Sequence, residues 1–140
     1  MAELSAVEAS AIEAVNPAIQ AAGFASKFRT VQNPTPTAYA SDGAISFANP
    51  VNVATLTKGS AGAYTLAAPT SAQEGYRLTI VSQSAQAHVV TATNLIDDGV
   101  TGGAKDTATF AAIVGASISL IALGQKWSVT ANNNVTVAAV

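Results

Sequence analysis

The sequence predicts an all-β fold, an antiparallel β-sandwich of jelly-roll type, with an N-terminal helical arm and an extended linker before it. Three observations predict it. From residue 44 onward, short apolar runs alternate with polar residues at period two. Clusters of Gly, Asn and Pro separate those runs, and the runs themselves are rich in Val, Ile and Thr, which fit a half-buried pleated surface. Before residue 44 neither pattern holds, so the chain divides into an arm (1–22), a linker (23–43) and a β domain (44–140).

In the arm, Leu4, Val7, Ala11, Val15 and Ile19 recur at spacings of three or four among Ala and Glu, which is helical periodicity in helix-favouring residues. Pro17 disfavours helical geometry at Asn16, so the helix ends or kinks there. A short helix with so narrow a stripe is marginal alone and needs something to dock on, either its own domain or a partner. In the linker, Asn33-Pro34-Thr35-Pro36-Thr37 favours an extended path.

The β domain then reads strand by strand. Val51, Val53 and Thr55 alternate with Asn52 and Ala54; Ala63-Tyr64-Thr65-Leu66 follows the turn Gly59-Ser60-Ala61-Gly62. Tyr76, Leu78 and Ile80 form a third run and His88-Val89-Val90-Thr91-Ala92 a fourth, followed by the loop Asp97-Asp98-Gly99 and Gly102-Gly103. Residues 107–114 and 117–123 follow, then a tight turn at Gly124-Gln125-Lys126 into Trp127-Ser128-Val129-Thr130. Asn132-Asn133-Asn134 turns the chain into Val135-Thr136-Val137. Short strands with turn signals at this density point to a sandwich or barrel. No strict internal repeat is visible. The uncharged stretch Thr107 to Gln125 is long enough for a membrane span, but Gly115, Ser117, Ser119 and Gly124 interrupt it, so strands are expected there instead.

Composition narrows the function. Charged residues are 10% of the 140, against about 25% in an ordinary soluble domain. Six Lys and Arg against eight Asp and Glu give a net charge of −2, the opposite of a nucleic-acid footprint or a polybasic membrane anchor. With no Cys and one His, thiolate and His-cluster metal chemistry is excluded. Residues 1–15 carry Glu3, Glu8 and Glu13 and no cation, unlike the start of a signal peptide.

Few residues could carry chemistry. Asp97, Asp98 and Asp106 flank a glycine-rich stretch and could offer oxygens to Ca²⁺, but the EF-hand spacing is missing, and Asp and Gly are also ordinary turn residues. His88 with Ser82 or Ser84 would need an Asp and a G-x-S-x-G elbow to make a hydrolase triad, and the elbow is absent. Gly99 to Lys105 lacks the Gly-Lys-Ser/Thr ending of a phosphate loop. Trp127 reads as a plug closing one end of the core; the alternative is an exposed ring that stacks on a sugar, with Tyr64 and Tyr76 completing the platform. The distinctive feature is the exterior: Ala, Thr, Ser, Asn and Gln desolvate at low cost, which suits contact with other protein.

The run from Asn52 to Thr70, Arg77-Leu78-Thr79-Ile80, Thr107-Ala108-Thr109-Phe110 and Leu120-Ile121-Ala122-Leu123-Gly124-Gln125-Lys126-Trp127 together resemble small structural proteins of tailed bacteriophages. The resemblance spans about residues 44–137 and rests on strand-and-turn patterning. It implies a trimeric β domain carried on capsids, as decoration (cement) proteins or head fibres, or on tail fibres, with no catalytic residue and no cofactor. The arm is short and no repeat shaft precedes the β domain, which favours a capsid decoration protein on the virion surface. The expected partners are copies of itself in a homotrimer and the major capsid protein, without nucleic acid or membrane. Leu4, Val7, Ile12, Val15, Ile19, Phe24 and Phe28 are the expected anchoring residues. The alternative is a tail-fibre or baseplate module that binds a receptor or carbohydrate through Trp127, Tyr64 or Tyr76.

Overall fold

The computed structural model describes residues 33–140. Every alternating run expected in the β domain forms a strand. Two more strands precede them: β1 (Thr37–Tyr39), in the stretch read as linker, and β2 (Gly43–Ala44), across the boundary expected between linker and β domain. Then come β3 (Val51–Leu56), β4 (Ala63–Thr65), β5 (Arg77–Ser82), β6 (Val89–Asp97), β7 (Lys105–Phe110), β8 (Ser117–Leu123), β9 (Lys126–Asn133) and β10 (Val135–Ala138). A 3₁₀ turn at Ser71–Gln73 interrupts the β4–β5 connection. The uncharged stretch from Thr107 resolves into β7, a loop through Gly115, and β8. Among the described residues no helix is long and apolar enough to cross a membrane.

The pairing corrects one expectation. β1, β3 and β5 lie side by side in parallel, and so do β2, β4 and β6. Because odd and even strands fall in different ladders, the chain winds through three coils, as in a β-solenoid. Each coil passes through the opposite ladder before returning, which supplies the long crossover that parallel neighbours require. In both ladders the second coil stacks on the third at an offset of 26 residues, seen also in the bonds Gly62–His88 and Lys58–Ser84.

The second half is antiparallel. β8 pairs with β5 and β9 with β8; β7 pairs with β6 and β10 with β7. The ladders join where the end of β6 meets β9, at Ile96–Trp127 and Asp97–Ser128, making a nearly closed 10-stranded sheet. An antiparallel sandwich therefore describes only this half. A jelly roll has antiparallel neighbours throughout, and the parallel pairs of β1 to β6 have no place in one. Alternation misled here because period two reports that one face is buried, not which way the neighbouring strand runs.

The inward residues of both ladders meet in one core: Ala54, Leu56, Leu78, Ile80, Ile118 and Leu120 from one, Tyr64, Leu66, Val90, Ala92, Ala108, Phe110 and Val135 from the other. Sizes are complementary between stacked coils, with Leu56 beside Ser82 and Leu66 in the position of Ala92 one coil on. Edges are blunted. Pro34 and Pro36 precede β1, and β2 has only 2 residues. At the free side of β10 the Asn132 carboxamide accepts from the Val135 N–H (3.0 Å) and donates to the Val135 carbonyl (2.7 Å), standing in for a neighbouring strand.

Candidate functional site

The expected anchoring residues Leu4, Val7, Ile12, Val15, Ile19, Phe24 and Phe28 lie outside the described residues, as does the predicted helical arm. The aromatic platform is not assembled at the surface. Trp127 is fully buried; its indole N–H donates to the Ala67 carbonyl at 3.0 Å and its ring meets Phe47 edge to face at 4.9 Å. Tyr64 is equally enclosed, and its hydroxyl donates to the Tyr39 carbonyl. Tyr76 is half-buried against the core. Trp127 and Tyr64 thus offer no ring face to a sugar, because both rings are enclosed in the core, as expected for Trp127 as a core residue.

The structure does bring Ser84 and His88 together, at 2.7 Å between Oγ and Nε2. The directions of the surrounding bonds decide what the pair can do. The Ser84 hydroxyl gives its only proton to the Lys58 carbonyl at 2.7 Å, so Nε2 must carry the hydrogen in its bond to Ser84. Nδ1 is then the acceptor for the Gly62 N–H at 3.0 Å. A nucleophilic serine needs the reverse polarity, with the imidazole accepting from the hydroxyl. A backbone amide also occupies the nitrogen that a triad acid would orient. His88 is wholly buried, and its enclosure, with the Lys58 charge nearby, holds its pKa below the ordinary 6.5, against a smaller opposing pull from Asp42. The group is a neutral cross-link between coils.

That cross-link is part of a stack. The corners between ladders, 40–42, 57–62 and 83–88, lie on successive coils. Asp42 bonds the Lys58 ammonium at 2.8 Å and accepts from the Ala63 N–H at 2.9 Å, contacts that keep its carboxyl below the usual range. Gly62 is required where it stands: a Cβ there would lie 2.6 Å from the Tyr64 ring, itself packed edge to face on His88.

The acidic loop does not gather. Asp106 accepts from the Asn94 N–H through one oxygen (2.6 Å) and the Val140 N–H through the other (2.8 Å); these bonds lower its pKa and fasten the bulge of β6, where Asn94 has φ 56°. Asp98 caps the Val100 N–H, and among the described residues no three acidic or His side chains converge as a metal site would need. Glu74 likewise spends both oxygens on the N–H groups of Gly124 and Gln125. Asp42, Glu74, Asp98 and Asp106 thus each clip the fold through a backbone N–H.

The surface feature that sequence reading missed is a threonine face. Thr65, Thr91 and Thr107 are cross-strand neighbours on β4, β6 and β7, and Thr109 pairs with Thr136 on β10. With Thr93 they set a cluster of threonines on this ladder, with the Asp106 carboxylate at one end of it. Its signal was present as the paired triplets Thr91-Ala92-Thr93 and Thr107-Ala108-Thr109, whose central alanines point into the core. At one end of the face, Thr91, Thr93, Asp106, Thr107 and Val140 line an open recess of about 410 Å³. No protein-family model matches the chain, and no curated protein matches it either.

Proposed function

We propose that this is a structural virion protein, a homotrimeric decoration protein that lies on a phage head and bridges neighbouring capsid subunits. It has no catalytic role. The observation that carries the reading is the exterior: a cluster of threonines across β4, β6, β7 and β10 in a chain of which only 10% is charged. Such a surface meets protein with few charges to strip of water, and blunted sheet edges direct association to faces. Binding only the assembled lattice stabilises that state by mass action, and three linked copies raise the effective affinity.

Light scattering of the full chain is expected to give a trimer, and sedimentation with phage heads is expected to show saturable binding. A chain lacking residues 1–30 should stay trimeric and lose head binding, since Leu4 to Phe28 supply the anchor. A monomer that ignores phage heads ends the proposal. The receptor or carbohydrate module is the second reading, and the hydroxyl-lined recess favours it in place of the buried Trp127 and Tyr64. Amide shifts at Thr91, Thr93 and Thr107 on adding millimolar hexoses, lost in Thr91→Val, are its expected signature.

A further inference from the structure

We propose that the His88 corner is an acid-sensitive latch: protonating this ring releases the 57–62 corner from the 83–88 corner while the antiparallel half stays folded. The inference is independent of the virion reading.

It follows from the bonding pattern. In the neutral ring every position is used, Nδ1 by the Gly62 N–H and Nε2–H by the Ser84 hydroxyl. A second proton can go only to Nδ1. Two N–H donors would then face each other across what is now a 3.0 Å bond, and a cation would sit in a fully enclosed space. Ser84 cannot relieve this, since its hydrogen is held by the Lys58 carbonyl. The ionisable groups around the ring come from the stacked coils: Asp42 before β2, Lys58 in the second corner and Tyr64 on β4. Lys58 opposes a positive ring and Asp42 favours one. Asp42, whose carboxyl is held below the usual range, remains ionised through the range where an imidazole titrates.

What opens is local. The Gly62 and Ala63 amides are held at this corner by His88 and Asp42, and the adjoining β4 is a 3-residue strand. By contrast, β8 and β9 pair from Ser117–Asn133 to Leu123–Lys126 with a single bulge at Thr130. Acid therefore loosens the stack at its third coil and exposes the edge of Tyr64.

The test uses the full chain, labelled with ¹⁵N. At pH 7.5 the His88 nitrogens should report hydrogen on Nε2 and none on Nδ1. As pH falls from 7 to 4.5, the exchange protection of the Gly62 amide should drop about tenfold per unit once the open form takes up a proton. The Ala122 amide, bonded to the Tyr76 carbonyl, should keep its protection over the same range. His88→Asn retains an acceptor for Gly62 and should show no pH dependence at that amide; if this variant does not fold, the titration of the unaltered chain decides alone. Constant Gly62 protection down to pH 4.5, or a protonated ring with Gly62 still protected, overturns the latch. Equal loss at Ala122 overturns it too, because the whole unit would then be unfolding.

Discussion

The two halves of the β unit use the same residue types to reach opposite strand directions. In the coiled half, β1 to β6, neighbours in a ladder are separated by 26 residues of chain where the second coil meets the third, so corners must be tied by long-range polar bonds. Asp42, Lys58, Ser84 and His88 do that tying. In the antiparallel half, β8 and β9 are joined by a two-residue turn with positive φ at both Gly124 and Gln125, whose twist matches the strands it connects. The difference teaches where stability resides. The β8–β9 hairpin is specified locally, whereas the coils depend on size complementarity and on polar links between distant segments.

Trp127 belongs to both halves, and its loss should be the largest single effect. It pairs with Ile96 where the ladders join and fills the core beneath Ala67. Trp127→Ala should cost about 3–5 kcal/mol, read from urea unfolding. A cost under about 1 kcal/mol would show that the halves are held together elsewhere. Next comes Gly62, which tests the coils alone. Gly62→Ala forces a methyl group into the Tyr64 ring and should destabilise by about 1–3 kcal/mol. In a double-mutant cycle with Tyr64→Leu the two costs should fall well short of additive, since the smaller side chain frees the space. Additive costs would mean that the methyl is accommodated by the corner backbone instead.

How far the sequence revealed this structure follows the same division. Each run from Val51 to Val137 was legible, because alternation and Gly or Asn turns are local signals. The parallel stacking was not. The corner through Gly59 and Gly62 looks like a hairpin turn, yet it passes the chain from one ladder to the other. Nor did the coil offset leave a repeat to find: Leu56 stands opposite Ser82 and Gly62 occupies the place of His88, since stacked coils fill a shared core by differing. Trp127 could be read as a core residue from the usual burial of tryptophan. The Ser84–His88 polarity could not, because it depends on where the Lys58 carbonyl points.

The free side of β10 allows a smaller test of the antiparallel half. Asn132→Ala removes both bonds to Val135 and should cost about 1 kcal/mol. The exposed edge should then let copies pair strand to strand, seen as concentration-dependent light scattering beyond the size of the unaltered protein. Unchanged association would show that edge protection lies in the strand twist and not in the carboxamide.

The smallest expected effects set one carboxylate of each half against the other. Asp42 is held below the usual range by Lys58 and the Ala63 N–H, Asp106 by the N–H groups of Val140 and Asn94. A folded-state pKa below the unfolded value of 3.8 means that the unfolded chain binds the proton first. Their stabilisation is therefore complete above that value and is lost as pH falls through the folded-state pKa. Both groups are open to solvent, so the change is local and slight. Asp42→Asn should raise amide exchange at Ala63 and leave Asn94 unchanged; Asp106→Asn should do the converse. Crossed effects would mean that the corner stack and the β6 bulge open together, and the coiled and antiparallel halves would then be one cooperative unit despite their different construction.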